Sequence, residues 1–249
     1  MSTTGTQAAA GTALVLCKHA QTRQVIIESL KPLSIRPEIC EEALAAIKLL
    51  DRQKFEAVIV DLQLGEEARL VMGHLHLSRA NRTAVSFAIT PEEATLARRP
   101  NSTFVLQRPL SIASVGHTLR AAYGLVVRER RRYFRCPVTV PVYVDARGPK
   151  ELSCQTVNIS EGGIAIRCST ALDSNSPLRV RFSLPDHSTT LFADAKVCWW
   201  GESMLFGLEF QSLAQPQRSE LQEWLARKLD ETLPEEVVSL FRNAGQALP

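Results

Sequence analysis

The chain divides by the period of its apolar positions. From Ala13 to about Val127, short unbroken apolar runs alternate with stretches of helical period. Ala13-Leu14-Val15-Leu16-Cys17, Ala57-Val58-Ile59-Val60, Ala84 to Ile89 and Thr103 to Leu106 read as buried strands. A weaker run, Ile35 to Ile39, makes a fifth, which Pro37 confines to an edge. Glu41 to Gln53 puts Leu44, Ile47 and Leu50 on one helical face. Ser111 to about Arg130 places Ile112, Val115, Leu119, Ala122 and Val126 at helical spacing, with Ser111 as the N-terminal cap. Buried strands separated by helices imply parallel pairing, so residues 13–127 are expected to form a flavodoxin-like parallel α/β sandwich.

After Pro137 the period changes from helical to two. Val138 to Val144 alternates and is β-branched, and Leu178 to Leu184 alternates strictly. Leu191 to Trp199 and Met204 to Phe210 follow at hairpin distance around Gly201. Short strands with no helix between them predict a small antiparallel barrel. Gln217 to Asp230 then reads as an amphipathic helix with Leu221, Trp224, Leu225 and Leu229 on one side. The boundaries expected are a disordered leader over 1–12, the α/β domain over 13–127, the barrel domain over 128–231 and a tail over 232–249. The tail includes a short helix from Glu235 to Phe241.

Composition narrows the picture. A chain of 249 residues accommodates one or two domains. A net charge of +3 does not argue for nucleic acid, and no specific nucleic-acid partner is expected. The six cysteines, Cys17, Cys40, Cys136, Cys154, Cys168 and Cys198, are scattered without a Cys-x-x-Cys pair. That argues against a zinc site and a disulfide framework, and for small buried side chains in a reducing compartment. No apolar run reaches the length of a membrane span, and Met1 to Thr12 lacks the form of a signal peptide, so the expected location is cytoplasmic. No catalytic triad is legible, no metal or cofactor is expected, and nothing points to an enzyme.

The charge is concentrated in Arg128-Glu129-Arg130-Arg131-Arg132-Tyr133-Phe134-Arg135. Arg131 and Arg135, four apart, converge if the backbone is helical or tightly turned, and share a face more widely spaced if it is extended. Guanidinium forks match phosphates and guanine edges and stack on purines. Downstream, Asn158-Ile159-Ser160-Glu161-Gly162-Gly163 reads as a turn between a strand ending near Val157 and one restarting at Ile164. Asn158 and Ser160 can bond a base edge, a phosphate or the local backbone. Gly162 and Gly163 permit positive φ and close approach of a ligand. Taken singly, an arginine run is a solvated face or a polyanion patch and the second segment a hairpin turn.

Together these segments resemble the PilZ family. Arg131 and Arg135 look like its RxxxR pair, and Asn158, Ser160 and Gly163 like its (D/N)xSxxG turn. Gly207-Leu208-Glu209-Phe210, the Trp199-Trp200 region and the helix from Gln217 are similar to its closing strands and helix. The resemblance implies a six-stranded antiparallel β-barrel with a C-terminal helix that binds cyclic di-GMP, often as an intercalated dimer. Arg130 and Arg132 are accessory candidates outside the motif. The first domain is similar to a response-regulator receiver, with Asp61 in the place of the phosphoacceptor, Thr90 of the switch hydroxyl and Arg108-Pro109 of the Lys-Pro pair. Lys18-His19-Ala20 stands where receivers carry the acids that hold magnesium. Asp61 is therefore expected to be vestigial, paired with Lys18 or Arg108. The function implied is a cyclic di-GMP effector whose domain arrangement and contacts with a protein output partner change on binding. The alternatives are an interaction module that no longer binds nucleotide and a phosphorylation-driven regulator.

Overall fold

The computed structural model describes residues 9–91, 103–146, 151–173, 177–185 and 189–233, with 235 and 238. They form two compact units. One holds the described residues up to Arg130 with Leu233 and those after it; the other is Arg131–Thr232. Most of the expected helix from Glu235 to Phe241 lies outside the described residues.

The first unit is a five-stranded parallel sheet of β1 (Gly11–Leu16), β2 (Ile35–Cys40), β3 (Ala57–Asp61), β4 (Val85–Thr90) and β5 (Thr103–Gln107). Its order, β2-β1-β3-β4-β5, is that of flavodoxin-like and receiver folds. Helices α1 (Ala20–Leu30), α2 (Ala43–Arg52), α3 (Glu66–Leu77) and α4 (Ile112–Tyr133) accompany it. Every residue of β3 and β4 is buried, as unbroken apolar runs require, and β2 with Pro37 lies at the edge. β1 begins inside the expected leader, and Ala10 before it is already fully buried.

Two helical faces differ from expectation. α2 buries Ala43, Ala46 and Leu50 and leaves Leu44 exposed, because the small alanines are the residues turned onto the core. In α4 the buried stripe is Val115, Leu119, Ala122, Tyr123 and Val126, whereas Ile112 is exposed. The lower end of α4 is held by charge. Lys54 Nζ donates to Glu129 at 2.6 Å, Thr83 also bonds Glu129, and Arg130 lies 3.6 Å from buried Glu56.

In the second unit, β7 (Pro141–Asp145), β8 (Leu152–Ser160), β9 (Gly163–Arg167), β10 (Leu178–Ser183), β11 (Thr190–Gly201) and β12 (Leu205–Leu213) form a closed ring in the order β8-β7-β10-β11-β12-β9. The β8–β9 pairing closes it, and short β6 (Arg135–Pro137) adds to the outer flank of β8. The expected strand over Val138–Val144 begins only at Pro141, with 138–140 forming a gap between β6 and β7. In the gap the Thr156 hydroxyl donates to Val138 O at 2.6 Å and accepts from Val140 N at 2.9 Å, so the unpaired backbone stays satisfied. Val142, Val144, Val180, Phe182 and Leu191 alternate inward, and α5 (Gln215–Asp230) adds Leu221, Trp224 and Leu225 to this core.

One pair of cysteines departs from the sequence reading. Cys154 on β8 and Cys168 just after β9 are joined in a disulfide inside the barrel. The antiparallel β8–β9 register, which sets Gln155 beside Arg167, brings these neighbours face to face. Cys17, Cys40 and Cys136 are buried as expected, and Cys198 is exposed.

Candidate functional site

A β-bulge decides where the polar residues of the second motif point. Up to Thr156, β8 alternates, with Cys154 and Thr156 facing the barrel interior. The register with β9 shifts between Thr156 and Asn158, leaving Val157 as the extra residue. Beyond it Ile159 takes the interior position, so Asn158 and Ser160 turn to the outer face. Without the bulge both would share the interior face of Cys154 and Thr156.

The re-aimed strand end then collects its neighbours. β6 sets Arg135 opposite Ser160, and β9 sets Gly163 opposite Ser160 on the other side. Gly163 faces Glu209 of β12, which faces Lys196 of β11. Residues directly opposite in antiparallel strands share a face. Five strands therefore contribute one row of Arg135, Ser160, Gly163, Glu209 and Lys196. All of these but Lys196 line a cleft of ≈ 490 Å³, together with Arg132 of α4, Trp199 of β11 and Arg218 of α5.

The two strands meet in a turn shorter than expected, Glu161-Gly162 alone, so Asn158 and Ser160 belong to β8 rather than to a loop. The Ser160 hydroxyl donates to Gly163 O at 2.9 Å and holds the turn. Neither glycine has positive φ, contrary to expectation; the described glycine that does is Gly65. Gly163 is required by packing. A Cβ there would stand 2.1 Å from the Leu208 carbonyl oxygen of β12, whereas one at Gly162 would meet nothing within 4 Å. Close packing recurs at Gly207, where a Cβ would lie 2.0 Å from Trp199 Nε1. The indole thus lies over bare backbone, and Trp199 as a whole is 43% exposed. Lys196, bonded to Glu209 at 3.0 Å, holds that carboxyl below the usual carboxylate range. Burial and Glu209 push the Cys198 thiol up.

The structure separates the arginines that the sequence groups. Arg131 lies in the last turns of α4 and Arg135 in β6, so they straddle a helix-to-strand transition instead of sharing one conformation. Arg135 lines the cleft with Arg132. Arg131 Nη2 lies 3.5 Å from Asp230 Oδ1 at the end of α5. Arg130 Nη1 lies 3.6 Å from Glu56 Oε1 in the first unit, and Arg130 does not line the cleft. Asn158 lies beside the cleft, half-buried, with its Oδ1 buried and lacking a hydrogen-bond partner. Arg218, Trp199 and Glu209 are cleft residues that the sequence reading did not single out for binding.

In the first unit Asp61 is 3% exposed at the end of β3. Its Oδ2 accepts from Arg108 Nη2 at 2.6 Å and lies 3.4 Å from the Cys17 thiol, and its Oδ1 accepts from Gln63 N at 3.2 Å. Of the two partners expected for Asp61, Arg108 is the one observed. Lys18 bonds Glu67 at 2.9 Å. Burial, followed by the neighbouring carboxylate, raises the Cys17 thiol to about 11. Among the described residues no group of three or more acidic, histidine or cysteine side chains could hold a metal ion. Nor is any described helix long and apolar enough to cross a membrane.

Residues 129–227 match the family model described as the PilZ domain, so the chain carries a PilZ domain there. Among solved structures, the chain is similar to the Bacillus subtilis inhibitor of motility MotI/DgrA. Identity is 23% and the TM-score 0.35, over 40% of this chain and 51% of that one, so it spans about half the length of that protein. It is also similar to the PilZ domain of CeSA from a cellulose-synthesizing bacterium, at 23% identity and a TM-score of 0.31, covering 39% of this chain and 98% of that one. A third similar structure is the receiver domain of a sensor histidine kinase from Pseudomonas aeruginosa PAO1. There identity is 20% and the TM-score 0.40, over 47% of this chain and 99% of that one. No curated protein matches the chain.

Proposed function

We propose that the outer cleft of the barrel binds cyclic di-GMP and that the protein is a non-catalytic, cytoplasmic signalling effector. The observation that carries this reading is the row set by the bulge and the strand registers. It brings Arg135, Ser160 and Gly163, distant in sequence, to one cleft with Arg132. Guanidiniums without a carboxylate partner repel one another, and an anion with planar bases relieves this through phosphate contacts and stacking. The Trp199 ring offers a further stacking surface. Arg131 joins the ligand by leaving Asp230, and the Asn158 Oδ1 acceptor is available for a donor on the base edge.

Binding is transmitted because the motif arginines lie where α4 passes from one unit to the next in sequence. Capture of Arg131 and Arg135 by one ligand re-aims that segment, and with it the units and the surface offered to a protein partner. Phosphorylation is disfavoured as the input because Lys18-His19-Ala20 stands where acidic residues would hold a metal ion, and Asp61 is already paired with Arg108.

Titration calorimetry of the full chain against cyclic di-GMP, GTP and a DNA oligomer tests the reading. Saturable binding of the cyclic dinucleotide is expected, with weak binding of the other two. Arg135→Ala should lose about tenfold or more, the worth of a charge-assisted contact. No binding, or equal binding of all three with steep salt dependence, would overturn it.

A further inference from the structure

We infer that Arg218, in the first turn of α5, is a further guanidinium for the ligand of this cleft. The inference rests on the nucleotide reading above and extends it to an element outside both motifs. Arg218 lines the cleft with Arg132 and Arg135 and is half-buried. It makes no ion pair among the described residues.

Neither helix stability nor local pairing accounts for an arginine here. Its neighbours one turn away on the helix are Ala214, Gln215, Leu221 and Gln222, none of which carries a charge. The Gln222 amide is already committed to Glu161 at 2.5 Å. A cation near a helix N-terminus is opposed by the macrodipole, and the first turn of α5 holds no acid to offset it. Where a cation is favoured, in the last turn, the helix carries Arg227 and Lys228 instead. An anion in the cleft would reverse the sign of this arrangement.

The neighbouring carboxylates do not balance the cations. Glu209 is bridged to Lys196, and Glu161, bonded to the neutral Gln222 amide, leaves a single negative charge, unpaired among the described residues, against the guanidiniums of Arg132, Arg135 and Arg218. The excess of positive charge suits a ligand with more than one phosphate. The mounting is also rigid, since Leu221 and Leu225, one and two turns further along the same side of α5, are buried with Trp224 in the barrel core. A guanidinium on a locked helix loses less freedom on binding than one on a loop.

Arg218→Glu and Arg218→Gln separate binding from folding. Glutamate near the helix N-terminus is favourable to α5 and repels phosphate, so the unfolding temperature should hold or rise while affinity falls. Calorimetric titration with cyclic di-GMP should show a loss of about tenfold or more in Arg218→Gln and a larger one in Arg218→Glu. The salt dependence of Kd should be shallower in both. If either variant keeps parental affinity while Arg135→Ala is weakened, the inference fails and the nucleotide reading stands. If the unaltered protein does not bind, both fail.

Discussion

Gly163→Ala tests the barrel geometry beneath the cleft, and Gly162→Ala, one residue away, is its control. A Cβ at Gly163 would lie 2.1 Å from the Leu208 carbonyl oxygen, with Leu208 C and Glu209 Cα at 3.1 and 3.2 Å. These are backbone atoms of a strand paired on both sides, so no side chain can swing away. Reaching an ordinary contact of 3.4 Å requires β9 and β12 to part by roughly 1.3 Å, an overpacking that costs about 1–3 kcal/mol. In a unit of about a hundred residues each kcal/mol lowers the midpoint by about 4–8 °C. Gly162 has open space and no positive φ, so its alanine variant should stay within about 0.5 kcal/mol. All three tryptophans, Trp199, Trp200 and Trp224, lie in the barrel unit, so tryptophan fluorescence during heating reports this unit alone. Gly163→Ala should also weaken nucleotide binding, because the parted strands carry Gly163 and Glu209 of the row. A midpoint unchanged in Gly163→Ala, or lowered equally in Gly162→Ala, would refute the packing argument.

Two further outcomes follow from the ion pairs. Asp230→Asn removes the ion pair of Arg131 with Asp230, whose side chains are 42% and 27% exposed. Exposed pairs are worth about 0.2–1 kcal/mol, so cyclic di-GMP should bind about 1.4- to 5-fold more tightly by calorimetry; weaker binding would count against competition between Asp230 and the ligand. In the first unit, acetyl phosphate with magnesium should leave the intact mass unchanged, since Arg108 holds Asp61. Arg108→Leu should destabilise that unit by about 3 kcal/mol in chemical unfolding followed by circular dichroism, with part recovered on adding Asp61→Asn, because it strands a buried carboxylate. A phosphoryl adduct that disappears in Asp61→Asn would show a working acceptor instead.

Local pattern was enough to read both sheets. Unbroken runs such as Ala57–Val60 mark strands covered on both faces, and the alternation of Leu178–Leu184 marks one covered on a single face. Each follows from which side of a residue's own element must avoid water. Arg131, Arg135, Asn158, Ser160 and Gly163 were legible as a set through their spacing and the family they resemble. Their individual roles were not. Spacing treats Arg131 and Arg135 as equivalents, yet one meets Asp230, ninety-nine positions along the chain, and the other meets the row beside Ser160.

What the tertiary structure alone decided is register and closure. The extra residue at Val157 flips the side chains of Asn158 and Ser160 from the interior to the outer face, and no composition rule announces it. A slip of one residue reverses every side chain of a strand, so the site depends on pairing with β6 and β9. The same pairing joins Cys154 to Cys168 and makes glycine obligatory at 163 for the sake of Leu208, not for a turn. The sequence by itself determined the two folds and the motif set, because a residue's burial pattern is written in its near neighbours. The partners of Arg130 and Arg131, and the choice of Arg108 over Lys18 for Asp61, were settled only by tertiary structure, because they come from elements far along the chain whose approach depends on how the sheets pair and close.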